Sequence, residues 1–341
     1  MAELVFVLTD FFSAAGISGP GGAEPGELAR LPLLERVLAR SRAATLDGDW
    51  RGWLAERYAS EPMRAATPAA IVAAAWCGRA AAGQAGEQVW LATPVHYFAG
   101  LDSVHLHPAG LLQLEGEQQR RLVADFERVF ADSPWRLYAH EQRELLLFGP
   151  DIAASGADPS HFAGADPSPG LPRGAGAGTL RGLGAEIEMW LYEHPLNLER
   201  LGRGELPVTT LWFWGASTPA RTMAPLASAA APARLHGRDS YAQALWRLRG
   251  AGVQALPASF DAAALTPGSD DIYLYSLLRP QGLSAALAQF EQHWLPGALR
   301  ALRQRRVSVL RLLVGARAYR LGWLDVIRVW RARAPWWEML A

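Results

Sequence analysis

The sequence predicts an α/β fold, a core sheet sandwiched by helices, on three observations. Leu4-Val5-Phe6-Val7-Leu8-Thr9 is an unbroken apolar run of strand length, and its lack of alternation marks a strand covered on both faces. The run ends at Asp10 and a loop rich in Gly and Pro, after which Pro32 opens an amphipathic helix carrying Leu33, Leu34, Val37 and Leu38. Strand and helix patterns alternate again through the last third of the chain.

A second helix starts at Thr67-Pro68, with Thr67 as N-cap and Pro68 at the first helical position. Strands are then predicted over Val89–Phe98 and Val104–His107, a helix over Gln118–Ala131, and strands over Trp135–His140 and Glu144–Phe148. This ββαββ order marks a small inserted α+β subdomain. Residues 149–184, rich in Gly, Pro, Ala and Ser without periodicity, read as a mobile loop with no folded element. After a helix containing Ile187, Trp190 and Leu191, the strand Thr210–Trp214 is read as a return to the core sheet. The remainder reads as a helix over Tyr241–Arg249, a strand over Ile272–Leu278, a long helix over Leu283–Leu302, and a strand pair, Val307–Val314 and Ala318–Leu321, about Gly315. Residues 1–85 and 205–341 are thereby assigned to the core and 86–204 to the insert.

The chain has 341 residues, half of them apolar, enough for a sizeable core. Its 33 cationic side chains are all arginine and balance 33 Asp and Glu, so the basic surplus of a nucleic-acid binder is missing. A single cysteine, Cys77, excludes an internal disulfide framework and a multi-cysteine zinc site. No basic region precedes the first apolar run, and uncharged runs such as Ala65–Gly78 fall short of the ~20 residues of a membrane span. A cytoplasmic protein without membrane or nucleic-acid partners is expected.

The sharpest motif is His194-Pro195-Leu196-Asn197, then Arg200, Gly204 and Pro207, then Leu211-Trp212-Phe213-Trp214-Gly215. It resembles a signature of the archaeal-type cofactor-independent phosphoglycerate mutases, approximately H-P-V-N-x-x-R, a Gly/Pro spacer, and N-x-[IL]-W-x-W-G-x-G. The chain is similar, too, to proteobacterial phosphoglycerate-mutase-like or pathogenicity-regulatory proteins. In strict motif the resemblance covers residues 194–215; in order of elements it covers most of the chain. It implies an alkaline-phosphatase-like core, a bimetal centre, a transiently phosphorylated Ser or Thr, and an insert that holds the substrate. On that layout Asp10 stands as a vestigial first metal ligand and Thr67 as a vestigial nucleophile, while His194, Asn197 and Arg200 line the substrate.

The remaining ligands are missing. A pair of divalent cations needs roughly four to six carboxylate and imidazole ligands at strand ends. The exit of the strand over Ile272–Leu278 reads Leu278-Arg279-Pro280-Gln281-Gly282, and that of Val307–Val314 reads Gly315-Ala316-Arg317-Ala318-Tyr319. No histidine follows His293, and the second signature asparagine is Thr209. Arg279 and Arg317 stand where the family has metal ligands; a guanidinium there repels a dication and favours an anion.

These residues point to a catalytically degenerate protein without bimetal centre or cofactor, binding a phosphorylated or carboxylate small molecule, or a protein. The alternative is an active metal-dependent mutase or phosphatase rebuilt around Asp10, Thr67, His194 and Arg200. Simpler readings stand beside these: Asp10 as a loop-starting aspartate, and Asn197 as a group that satisfies buried backbone. His96, His105 and His107 share one strand pair and offer zinc ligands. The Arg- and Trp-rich segment Arg328–Trp337 suits either a protein partner or docking on its own domain.

Overall fold

The computed structural model describes residues 2–11, 29–77, 87–100, 103–140, 143–217, 233–277, 282–328, 331 and 334–340. The chain begins β1 (Glu3–Thr9), α1 (Pro32–Arg40), β2 (Arg42–Thr45), α2 (Trp50–Tyr58), α3 (Glu61–Arg64) and α4 (Pro68–Trp76). It continues β3 (Glu87–Ala99), β4 (Val104–Leu111), α5 (Gly116–Val129), β5 (Arg136–Tyr138), β6 (Leu145–Pro150), β7 (Ala154–Ser155), β8 (Arg173–Gly174), α6 (Ala177–Tyr192) and α7 (Pro195–Gly202). Then follow β9 (Thr210–Ser217), β10 (Ala233–His236), α8 (Ser240–Leu248), β11 (Val253–Gln254) and β12 (Asp270–Ser276). It closes with α9 (Leu283–His293), α10 (Leu295–Arg303), β13 (Val309–Val314), β14 (Arg317–Gly322) and α11 (Trp336–Leu340). Two compact units result, one of residues 1–60, 227–238 and 249–341, the other of 61–226 and 239–248.

In the first unit a seven-stranded sheet has the order β11-β10-β12-β1-β13-β14-β2. The strands from β11 to β13 run parallel, and β14 and β2 complete one edge antiparallel. Sandwiched between β12 and β13, β1 hides both faces, as its unbroken apolar run demands: Leu4, Phe6 and Leu8 join one core cluster, and Val5 and Val7 are equally buried. Phe6 is the centre of that cluster, its ring 5.3–5.8 Å from those of Phe260, Tyr273, Phe290 and Trp294. The long helix read over Leu283–Leu302 is two helices meeting at Trp294. Pro296 lies in the first turn of α10, where its missing N–H leaves no gap in the helix ladder.

The second unit is built on an antiparallel sheet. The inserted ββαββ order is present as β3, β4, α5, β5 and β6, with sheet order β4-β3-β6-β5. Helix α5 starts earlier than its apolar spacing suggests because Glu115 and Gln118 form a reciprocal capping box. Strand β9, read as part of the core sheet, instead pairs antiparallel with β3. Its alternation explains the choice. Phe213 enters the cluster with Trp90, Phe126 and Ile187, while Trp214 donates from Nε1 to Thr93 Oγ1 at 2.9 Å.

Residues 149–184 are not structureless. They carry the β7–β8 pair, two short 3-10 turns and the first half of α6. The Gly-rich composition reflects close packing: a Cβ at Gly156 would lie 2.5 Å from the Phe213 carbonyl, and one at Gly174 (φ +112°) would lie 2.1 Å from that of Ala153. Within α6, Gly178, Gly182 and Gly184 lie where a Cβ would meet nothing, so they do not interrupt the helix. No helix among the described residues is long and apolar enough to cross a membrane.

Because Phe6 touches four rings at the middle of β1, Phe6→Ala is expected to cost about 3–5 kcal/mol of unfolding free energy, measured by urea denaturation.

Candidate functional site

The carboxyl ends of three adjacent parallel strands meet around Asp10. The register sets Thr9 beside Ser276 of β12, and Leu8 beside Val314 of β13. Asp10 itself is left-handed (φ +58°), a conformation Asp tolerates better than most residues. It is 7% exposed, and its Oδ2 accepts hydrogen bonds from Ser276 Oγ at 2.7 Å and Thr9 Oγ1 at 3.1 Å. Ser276 escaped the sequence reading because a lone strand serine carries no signal until its neighbour across the sheet is known. Arg317 follows the turn out of β13 and donates from an exposed position to the Met339 carbonyl at 3.1 Å. Arg279 lies outside the described residues. Among the described residues no group of three or more His, Cys, Asp and Glu is placed to hold a metal ion.

In the second unit Asn197 and Arg200 converge on the segment that leaves α7 for β9, while His194 caps α7. Asn197 donates from Nδ2 to the carbonyls of Leu191 (2.7 Å) and Val208 (2.8 Å), and its Oδ1 accepts the Val208 N–H at 2.7 Å. Arg200 donates from Nε to the Leu206 carbonyl at 2.8 Å and pairs with Glu205 at 3.0 Å. The Nδ1 of His194 accepts the Leu196 N–H at 3.1 Å, capping α7. The proton of the neutral ring is therefore on Nε2, which faces Asp125 Oδ2 of α5 at 3.2 Å. Burial pushes the His194 pKa below its ordinary value, and Asp125 opposes that shift. All three side chains are about 95% buried.

The tryptophans and glycine of the motif are also in packing roles. Trp212 donates to the Ala157 carbonyl at 2.8 Å, and Gly215 (φ +65°) brings β9 to within 3.3 Å of Pro68 at the start of α4, measured from a Cβ placed there. Thr67 is the N-cap of α4, in extended conformation, but makes no side-chain cap bond. Its Oγ1 is buried and has no hydrogen-bond partner among the described residues. Asp10 and Arg317 thus belong to the first unit, and Thr67, His194, Asn197 and Arg200 to the second.

The strand histidines do not assemble into a ligand set. The rings of His96 and His107 lie 5.7 Å apart, but Phe98 packs between His107 and His105. His96 Nδ1 donates to the Pro207 carbonyl (2.9 Å), whereas His107 Nδ1 accepts the Ala109 N–H (3.0 Å), so their free nitrogens carry opposite protonation. His140 is a different case. Stacked on Trp76 at 5.6 Å, it has both ring nitrogens buried without a partner in another described residue, and burial pushes its pKa down to about 4.

The described part of the C-terminal segment docks on its own unit. Trp336 is fully buried and donates to the Ala29 carbonyl at 3.0 Å, Arg328 pairs with Asp325 at 2.9 Å, and Arg331 donates to the Ser41 carbonyl at 3.2 Å.

No protein-family profile matches the chain, and no curated protein matches it. Among solved structures it is similar to a cofactor-independent phosphoglycerate mutase from Thermoplasma acidophilum, at 13% identity and TM-score 0.37, over 94% of this chain and 90% of that one. It is also similar to the PH0037 protein of Pyrococcus horikoshii, at 11% identity and TM-score 0.42, over 94% and 87% of the respective chains. Likeness at this level assigns no residue a role.

Two outcomes follow from this geometry. Asn197→Asp removes the donor facing two carbonyls and is expected to destabilise as much as Asn197→Ala, by roughly 3 kcal/mol in urea denaturation. For His140, the folded-state pKa of about 4 lies below the unfolded value of about 6.5, so the unfolded chain binds more protons between those limits. Its contribution is complete above pH 6.5 and falls by on the order of 3 kcal/mol as pH drops toward 4. Urea titrations at pH 7 and pH 4.5 are expected to differ less for His140→Phe than for the parent chain.

Proposed function

We propose that the chain is a catalytically degenerate, phosphoglycerate-mutase-like protein of the cytoplasm, which binds a small phosphorylated or carboxylate anion, or a protein, without a bimetal centre. The observation that carries this reading is the setting of Asp10. At the strand edge where α/β sheets gather their ligands, the Asp10 carboxylate accepts from the hydroxyls of Thr9 and Ser276, and among the described residues no group of three or more His, Cys, Asp and Glu is placed to hold a metal ion. Phosphoryl transfer by paired cations requires acids and imidazoles from several strand ends to converge there. The sequence supports the same reading, because the two neighbouring exits carry Arg279 and Arg317 and no histidine follows His293. The motif over residues 194–215 supports descent from a mutase-like scaffold. A substrate-side insert over residues 86–204, with β9 on the insert's sheet, belongs to this reading, as does a protein contact through the Arg/Trp segment.

One observation bears on the alternative of an active, rebuilt enzyme: the Thr67 hydroxyl, at the first turn of a helix, is not committed to a described hydrogen bond, although it is buried and has no described base to activate it.

Elemental analysis of the purified protein, with turnover assays on 3-phosphoglycerate and a phosphate monoester, separates the two. The degenerate reading expects fewer than two divalent ions per chain and no turnover. Two bound ions, with turnover abolished by Asp10→Ala or Thr67→Ala, would overturn it. For the anion itself, saturating 3-phosphoglycerate is expected to stabilise the parent chain by about 2–3 kcal/mol, seen as a rise in Tm, and to leave an Arg279→Ala, Arg317→Ala variant unmoved.

A further inference from the structure

We propose that α1 and α10 of the first unit form a separate pocket for a small amphiphilic anion, with a phosphate- or carboxylate-like head on a short apolar body. The pocket is a half-open groove of about 300 Å³, lined by Leu33 and Arg36 of α1 and by Pro296, Leu299, Arg300 and Arg303 of α10. Three of its lining residues are apolar, Leu33, Pro296 and Leu299, and the other three are arginines. This volume is at the small end of ligand pockets, and matches a small organic molecule rather than a polymer.

The charge at this pocket has no internal answer. Arg36, Arg300 and Arg303 form no side-chain hydrogen bond or ion pair among the described residues, and the Nε of Arg36 is buried without a partner. A buried guanidinium N–H left unbonded is costly. Other arginines of this unit have described partners, either acids (Arg30 with Glu35, Arg234 with Asp271, Arg311 with Glu3) or backbone carbonyls (Arg40 with Val326, Arg306 with Ala262). The acids closest in the fold are already engaged. Glu291 accepts the N–H groups of Leu33 and Leu34 at the start of α1, at 3.1 and 2.7 Å, and Glu35 holds Arg30.

Arg300 and Arg303 lie one helical turn apart and so share a face of α10. Their place in its last turn also suits the helix dipole, but the dipole does not account for Arg36, which is on another helix. Planar guanidinium forks bind phosphate and carboxylate oxygens in pairs of hydrogen bonds, which fixes the class of head group. The apolar lining fixes the class of body. None of these residues belongs to the set around Asp10, so the pocket stands whether or not the mutase-like reading does.

Isothermal titration of the full chain at low ionic strength, with hexyl phosphate, inorganic phosphate and hexyltrimethylammonium as probes, tests it. Hexyl phosphate is expected to bind at least tenfold more tightly than inorganic phosphate, with no response to the cation. An Arg36→Gln, Arg300→Gln, Arg303→Gln variant is expected to lose at least tenfold in affinity for hexyl phosphate while keeping its circular dichroism. If that variant unfolds, Arg300→Gln with Arg303→Gln, both at exposed positions, is expected to show at least a threefold loss. Unchanged affinity in the folded variant would overturn the proposal, as would equal binding of the two phosphates. Loss of hexyl phosphate binding in the Arg279→Ala, Arg317→Ala variant would also overturn it, by placing the ligand at the Asp10 edge instead.

Discussion

A strand buried on both faces favours apolar side chains, and over Leu4–Leu8 of β1 this constraint organises the first unit. From Leu4 to Leu8 every side chain is 1% exposed or less, so chemistry is confined to the point where the strand leaves the sheet. Parallel neighbours on either side bring their own exits to the same edge, which is why Asp10, Ser276 and the turn at Gly315 are found together. What that edge can do is then decided by the residues at the strand exits. Among the described residues these supply the Asp10 carboxylate and the hydroxyls of Thr9 and Ser276.

Much of this was legible because it depends on local pattern. The two-sided burial of β1, the Thr67-Pro68 helix start and the ββαββ order follow from apolar spacing and from where proline is tolerated. The errors arise where partners distant in sequence decide. Strand β9 has the same composition whichever sheet it joins, and only the fit of Phe213 and Trp214 to opposite faces of β3 selects the second unit. Residues 149–184 read as loop because glycine is the residue of flexible turns, yet Gly156 and Gly174 are there for close approach of backbone. Composition does not distinguish those two uses of glycine.

The motif residues show the same limit in another form. His194, Asn197 and Arg200 present the polar groups a ligand would need, and the sequence shows that they are present. It does not show which backbone groups are left unpaired where α7 ends. Asn197 meets the N–H and the carbonyl of Val208 there and the Leu191 carbonyl at the end of α6, and Arg200 meets the Leu206 carbonyl, so their hydrogen-bonding capacity is largely committed to the chain itself.

This separates what the motif reports from what activity requires. The bracket around residues 203–208 positions β9, and β9 carries Gly215 against the first turn of α4. Each step is backbone satisfaction or packing, and none involves a reacting atom. A chain can therefore keep the whole string while its strand exits change freely, because Asp10 and the exits of β12 and β13 lie in a different unit with a different core. The string over residues 194–215 therefore reports on packing within the second unit. Whether the chemistry has been retained is determined at the exits, where an arginine and a histidine occupy similar space but have opposite consequences for a bound cation.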